Sequence, residues 1–130
     1  MDYSLDIRAW SAGIGAIVGG FVGDYDRLVL ALVIFVSVDY ITGVLCGIAE
    51  KKLSSETGFR GICQKVFIFL LVGVANALDL HIIGSGSVLR SAVICFYISN
   101  EGISIIENAA RIGLPVPEHL RALLEQLKKK

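Results

Sequence analysis

Apolar residues run through this chain in long blocks, and in the last long block the polar residues keep a helical period. Between Val88 and Arg111, residues Arg90, Ile94, Tyr97, Glu101, Ser104, Asn108 and Arg111 follow one another at alternating steps of four and three. On an ideal α-helix Arg90 and Glu101 then point only about 20° apart. Ala92, Phe96, Ile103 and Ile106 occupy the opposite side. A helix this apolar belongs in a bilayer or a buried core. In a bilayer an ionisable stripe must turn to protein or water rather than to lipid.

Three further blocks precede it. Residues 28–49 form the clearest span, between the polar turn Gly23-Asp24-Tyr25-Asp26-Arg27 and Glu50-Lys51-Lys52. Its one formal charge, Asp39, shares a helical face with Thr42, Gly43 and Cys46. A carboxylate there costs at least about 2.5–3.5 kcal/mol on insertion scales, so it must be protonated, paired or turned to water. Residues 62–80 carry Lys65, Phe69, Val72, Asn76 and Asp79 on one stripe. Lys65 and Asp79 lie near opposite ends of it, where long side chains can snorkel to the interface. Residues 9–23 are short against the roughly 20 needed to cross a bilayer. Here Gly15, Gly19 and Gly23 repeat every four, and Gly43 and Gly47 form a similar pair in the second block. Small residues at that spacing let helices in lipid approach closely. A flexible arm is the competing reading of residues 9–23.

The connections are polar. Ser54 or Ser55 is placed to cap a helix beginning near Glu56, and Lys51, Lys52, Arg60 and Lys65 make this the most basic loop. Gly84-Ser85-Gly86-Ser87 reads as a tight turn. Leu114-Pro115-Val116-Pro117 stops the fourth helix, and a last short helix follows with Leu120, Leu123, Leu124 and Leu127 on one face. Lys128-Lys129-Lys130 makes the tail basic. The basic loop and tail both mark the cytoplasmic side, with an even number of crossings between them. The expected fold is an all-α membrane protein of three to four transmembrane or membrane-embedded helices plus a short C-terminal amphipathic helix. Residues 1–113 would form the membrane domain (segments about 9–23, 28–49, 62–80 and 88–111), and residues 114–130 a cytoplasmic tail. Met1-Asp2-Tyr3-Ser4-Leu5-Asp6 lacks the basic start of a secretory signal, so the first apolar block is expected to be retained.

Composition supports this picture and removes several functions. The chain is 55% hydrophobic and 18% charged, against about a quarter charged in an ordinary soluble domain. Formal net charge is zero, so nucleic acid has no electrostatic footprint to bind. Cys46, Cys63 and Cys95 stand alone in apolar sequence and read as small buried hydrophobes. Gly13-x-Gly15 has neither a preceding strand nor a Gly-Lys-Ser/Thr sequence, so no phosphate loop is present. No His, Cys and Asp cluster has metal-ligand spacing. His81, at a helix boundary, reads as an interfacial residue, and neither it nor His119 has a nucleophile to serve. Neither catalysis nor a metal or cofactor is expected.

What remains is polarity within the apolar blocks: Asp39, Asn76, Asp79, Arg90, Asn100, Glu101 and Glu107. Three readings fit. Asp39 or Glu101 pairs with Arg90 in a static network; a carboxylate at mid-membrane serves an ion-coupled transporter; or the stripes face partner protomers or a water-filled lumen. The stripe pattern suits a seam or lumen better than a lone carboxylate site. On that reading Arg90, Tyr97, Glu101, Ser104 and Asn108, with Asp39, Asn76 and Asp79, line the pore or the seam. Gly15, Gly19, Gly23, Gly43 and Gly47 pack helices.

The chain resembles the toxin-secretion and phage-lysis holins, the family that includes the clostridial toxin-export holin. The resemblance covers most of the chain. It is carried by Asp39-Tyr40-Ile41-Thr42-Gly43, by Gly58-Phe59-Arg60-Gly61 with Lys65, and most specifically by the run from Phe96 to Asn108, continuing into Gly113-Leu114-Pro115-Val116-Pro117 and the Leu-rich tail. It implies a small phage or prophage protein of the bacterial cytoplasmic membrane that forms homo-oligomeric lesions. Those lesions collapse the membrane potential and release an endolysin, or in some cases a toxin, without stable binding of the passenger. An antiholin is a possible partner, and the resemblance does not separate holin from antiholin. The alternative class is a small four-helix ion-coupled transporter. Such proteins usually place an essential carboxylate in the first helix, and residues 9–23 have none.

Overall fold

The computed structural model describes residues 3–84 and 86–129, with backbone alone at Leu124, Leu127, Lys128 and Lys129. Ser85, within the expected tight turn, and Lys130, in the basic tail, lie outside the described residues. The rest form α1 (Tyr3–Val22), α2 (Arg27–Ala49), α3 (Ser55–Leu78), α4 (Val88–Ile112) and α5 (Glu118–Lys129). One π-turn, Asp79–Ile83, prolongs α3. There is no strand among the described residues, and four helices are long and apolar enough to cross a membrane. These are α1, α2, α3 with its π-turn, and α4. The chain is an all-helical membrane protein.

Local chemistry sets the helix ends. The Asp26 carboxylate accepts from Val29 N at 3.0 Å and starts α2. The Ser54 hydroxyl accepts from Thr57 N at 3.1 Å and starts α3. That helix begins well before the apolar block at residue 62, so its first turns are polar. They stay helical against α2, where Tyr40 donates its hydroxyl to Gly58 O at 3.3 Å. At the end of α4, Gly113 takes the left-handed conformation (φ 94°), its N–H donating to Ala110 O and that of Leu114 to Ala109 O, each at 3.0 Å. That pair of bonds closes the last turn before Pro115. In the π-turn, Gly84 N donates to Asp79 O, five residues back, at 2.9 Å.

α2 and α4 run parallel, with α3 antiparallel to both. Contacts between α2 and α4, including the turn before α2, keep a nearly constant sequence offset: 64 for Asp26–Arg90, 62 for Cys46–Asn108 and 61 for Glu50–Arg111. Val29, Leu32 and Val36 of α2, Ile68 and Val72 of α3, Ile94 of α4 and Val22 of α1 form the apolar core.

The burial of α1 is concentrated at its C-terminal end. Of its twenty residues, Gly19 and Val22 are buried, whereas Trp10 and Ile17 are 73% and 75% exposed. Phe21 lies over Gly73 of α3, and Asn76 Nδ2 donates to Phe21 O at 3.1 Å. Large apolar side chains also cover the outer faces of α2 and α3, among them Leu30, Ile41, Phe67 and Val74. Such surface is an aggregation hazard in water, but in lipid it needs no cover. After Pro117, α5 turns back beside the end of α4 with Leu120 and Leu123 exposed.

Candidate functional site

The polar residues of the spans form two clusters. In the first, three helices each contribute one ion. Lys65 Nζ of α3 donates to Asp39 Oδ2 of α2 at 2.5 Å and to Glu101 Oε2 of α4 at 2.7 Å. The Asp39 and Glu101 side chains are 8% and 4% exposed. Asn108 Nδ2 donates to Asp39 Oδ1 at 3.2 Å and to Thr42 Oγ1 at 2.9 Å. The Cys46 thiol lies 3.2 Å from Asn108 O. Helical spacing produces this arrangement: Asp39, Thr42 and Cys46 are one face of α2, Glu101 and Asn108 one face of α4. Lys65 does not snorkel to the boundary as expected. It turns inward because two buried carboxylates leave no better place for a cation.

The second cluster is at the other end of the bundle. Arg90, 3% exposed, donates through Nη1 to Asp26 Oδ2 at 2.8 Å and through Nη2 to Asp26 Oδ1 and Asp24 O, both at 3.1 Å. Its Nε donates to Val22 O. This side chain therefore ties the whole α1–α2 turn to α4. The turn is itself strained, since Asp24 sits at φ 85°, where a non-glycine residue is uncommon. Asp79 caps α4 by accepting from Leu89 N at 3.1 Å and Arg90 N at 2.8 Å. Arg90 thus pairs with neither Asp39 nor Glu101. Eleven residues of helix, about 16 Å of rise, separate it from Glu101, and Asp26 is nearer. The Arg90 guanidinium holds the Asp26 carboxyl below its ordinary value, mainly through the side-chain hydrogen bond.

The other stripe positions grade from buried to exposed. Tyr97 and Ser104 are half-buried and line a cavity of about 500 Å³ with Asn100, Lys65, Glu101 and Asp39. Arg111, at the surface, pairs with Glu50 at 2.9 and 3.1 Å and lowers the Glu50 carboxyl by that hydrogen bond. Glu107 is exposed. Among the glycines, Gly15 has open space around it. Four others are approached from within the chain: Gly19 by the Tyr25 ring, Gly23 by Arg90 and Asn76, Gly43 by Asn108 and Gly47 by Leu53. The same lack of a side chain that suits a partner helix lets the chain's own turns fold back there. Cys46 is buried, while Cys63 and Cys95 are exposed and free, contrary to the expectation that all three are buried.

Asp26 and Glu50 were missed as partners in the sequence. Both lie just outside an apolar block, where a charge reads as a solvated boundary, and only Asp26's position as a helix cap signals a structural role. No three His, Cys, Asp or Glu side chains converge as a metal site among the described residues.

An all-helical bundle with four candidate spans, its charges paired between helices and its outer surface apolar, defines a small membrane protein. The chain belongs to the bacteriophage holin family, whose profile matches residues 16–129. Among its relatives is the probable holin of Bacillus phage phi105, 43% identical over 95 residues, covering 73% of this chain and 69% of that protein. An uncharacterized protein of Listeria monocytogenes is 47% identical over 112 residues, covering 86% of this chain and 79% of its own. An uncharacterized 14.9 kDa protein of Clostridium perfringens is 39% identical over 131 residues, covering 100% of this chain and 99% of its own. No solved structure matches the chain.

Proposed function

We propose that the protein is a holin that oligomerises in the bacterial cytoplasmic membrane and opens lesions, dissipating the membrane potential and releasing an endolysin or toxin. Membership of the holin family carries this reading. The ion cluster supports it with a physical means of opening. Asp39, Lys65 and Glu101 each find a hydrogen-bonding partner on another helix of the same chain, which keeps these groups turned away from lipid in the closed protomer. In crowded protomers these groups would exchange partners between chains and hydrate together, turning the α3–α4 seam into a lumen wall. With α2 and α4 parallel, the Lys51–Lys52 loop and α5 fall at one end of the bundle, which supports a cytoplasmic C-terminus by the positive-inside rule. The reading is non-catalytic.

Expression in a bacterium, with membrane potential and leakage of a folded cytoplasmic reporter followed together, tests it. Abrupt depolarisation with reporter leakage is the expected result. Depolarisation with leakage of small ions alone would reduce the lesion to a pinhole. Neither effect would favour a transporter or an antiholin. Glu101→Gln should change the time of triggering while leaving membrane insertion intact. Lysis on the normal schedule at normal accumulation would make the cluster purely structural.

A further inference from the structure

The Asp39–Lys65–Glu101 cluster is not electrically balanced. Two carboxyl groups meet one ammonium, so full ionisation leaves one uncompensated negative charge. Arg90 is engaged with Asp26 and Arg111 with Glu50, while Lys52 and Arg60 line the cavity that leads to Asp39 and make no ion pair with the cluster. The other polar groups facing the cluster are Tyr40 and Thr42 of α2, Gln64 of α3, and Tyr97, Asn100, Ser104 and Asn108 of α4. None of them supplies a positive charge. An isolated charge in an apolar medium is removed by proton uptake rather than tolerated.

Crowding of the two acids points the same way. Asp39 Oδ2 and Glu101 Oε2 lie 2.5 and 2.7 Å from the same Lys65 Nζ, so the two carboxyl groups meet at one ammonium. Two carboxylates sharing a site repel, and one proton held between them removes that repulsion. A route to water also exists. A cavity of about 460 Å³ runs from Lys52, Arg60 and Arg111 at the helix ends inward to Asp39, Lys65 and Ser104. Lys52, Thr57, Arg60, Gln64 and Arg111 along it offer polar partners to water in a space of that size.

We propose that Asp39 and Glu101 together bind one exchangeable proton beside Lys65, and that it exchanges with water through the cavity on the Lys51–Lys52 side. The proton leaves hydronium or the acid form of a buffer, breaking its bond there and releasing water or the buffer base, and forms one O–H bond on the carboxyl pair. The loaded cluster is neutral and suits the closed bundle. The unloaded cluster carries a net negative charge that favours water in the α3–α4 seam.

Infrared spectroscopy of the full chain in lipid vesicles, with orientation fixed by protease access to the C-terminal tail, tests this. At neutral pH the protein should show a protonated-carboxyl C=O band that persists in Glu118→Gln and is lost in Asp39→Asn or Glu101→Gln. Carboxyl-¹³C labelling of glutamate or aspartate assigns the band in the unsubstituted protein, so the test does not depend on the variants folding. Alkalinising the Lys51–Lys52 face should remove the band, and alkalinising the opposite face should not. Absence of the band at neutral pH, its survival in both Asp39→Asn and Glu101→Gln, or a response only to the opposite face overturns the proposal.

Discussion

The ring of Phe21 occupies the volume above Gly73 that any side chain at position 73 would need. α1 is thereby seated on α3 at a residue that offers only backbone, and the seat is confined to its last turn. The rest of α1 is exposed to its surroundings.

Gly73→Val should unseat α1. The branched side chain and the Phe21 ring cannot share that space, and overpacking of this kind costs about 1–3 kcal/mol. Thermal unfolding in detergent should fall accordingly, and a cysteine pair placed across the α1–α3 contact should cross-link less. Phe21→Ala should recover much of the loss in the double variant, because it vacates the contested volume. Additive effects of the two changes would mean that the contact is not where α1 is held.

Lys65 is the cation whose removal should harm the bundle most. Lys65→Ala leaves Asp39 and Glu101 buried against each other, and breaking a buried ion pair from one side costs about 3–5 kcal/mol. Glu101→Gln removes a charge without leaving a cation alone, since Asp39 still pairs with Lys65 at 2.5 Å, so its cost should be smaller. Denaturant titration of both variants in the same detergent checks the order. A Lys65→Ala protein as stable as the parent would show that the cluster adds nothing to the closed fold.

Much of this arrangement was legible in the sequence, and the reason is periodicity. The polar stripe of α4 required one side of the helix to be unlike the other, and Arg90, Ile94, Glu101 and Asn108 are buried, although Ser99 and Ile106 on the opposite side are buried too because other elements pack there. The face shared by Asp39, Thr42 and Cys46 was visible in the same way. Pairings between helices were not, because they depend on register. The even number of crossings between the basic loop and the tail already implied that α2 and α4 run parallel, but nothing in the pattern sets the register that puts Asp26 beside Arg90 and Glu50 beside Arg111. The start of α3 was legible from its cap rather than from an apolar pattern. Ser54 was one of the two expected caps of a helix beginning near Glu56, and it caps α3, while Tyr40 holds the first turns from α2.

Acid should loosen the α1–α2 turn. The folded Asp26 carboxyl titrates below its ordinary value of 3.8, with the Arg90 hydrogen bond outweighing the opposite effect of burial. A folded value below the unfolded one means that the pair contributes fully above the unfolded value and is lost as pH falls through the folded one. The Asp26 side chain is 44% exposed, so screening keeps the contribution small, about 1 kcal/mol or less. Proteolysis at the turn should therefore accelerate below pH 3.8 in the parent, and Asp26→Asn should lack this step. Glu50, lowered by Arg111, titrates in the same direction, and Glu50→Gln separates its effect. An unchanged acid step in Asp26→Asn would detach the turn from this ion pair.

The three thiols report which surfaces face lipid. Cys63 and Cys95 are exposed on the outer faces of α3 and α4, whereas Cys46 is buried against Asn108. In detergent at alkaline pH, where a surface thiol can ionise, a small maleimide should modify Cys95 readily, and Cys46 at least about tenfold more slowly, as expected for a thiol packed inside a bundle. In vesicles a charged, water-soluble reagent should leave Cys95 untouched and reach Cys63 only to the extent that the polar start of α3 rises from the bilayer. Asn108→Ala removes the side chain that links Asp39 to Thr42, so it should raise the reactivity of Cys46 without altering that of Cys95. Rapid modification of Cys95 by the charged reagent in the closed protein would place α4 against water and rule out this bundle as the lipid-embedded form.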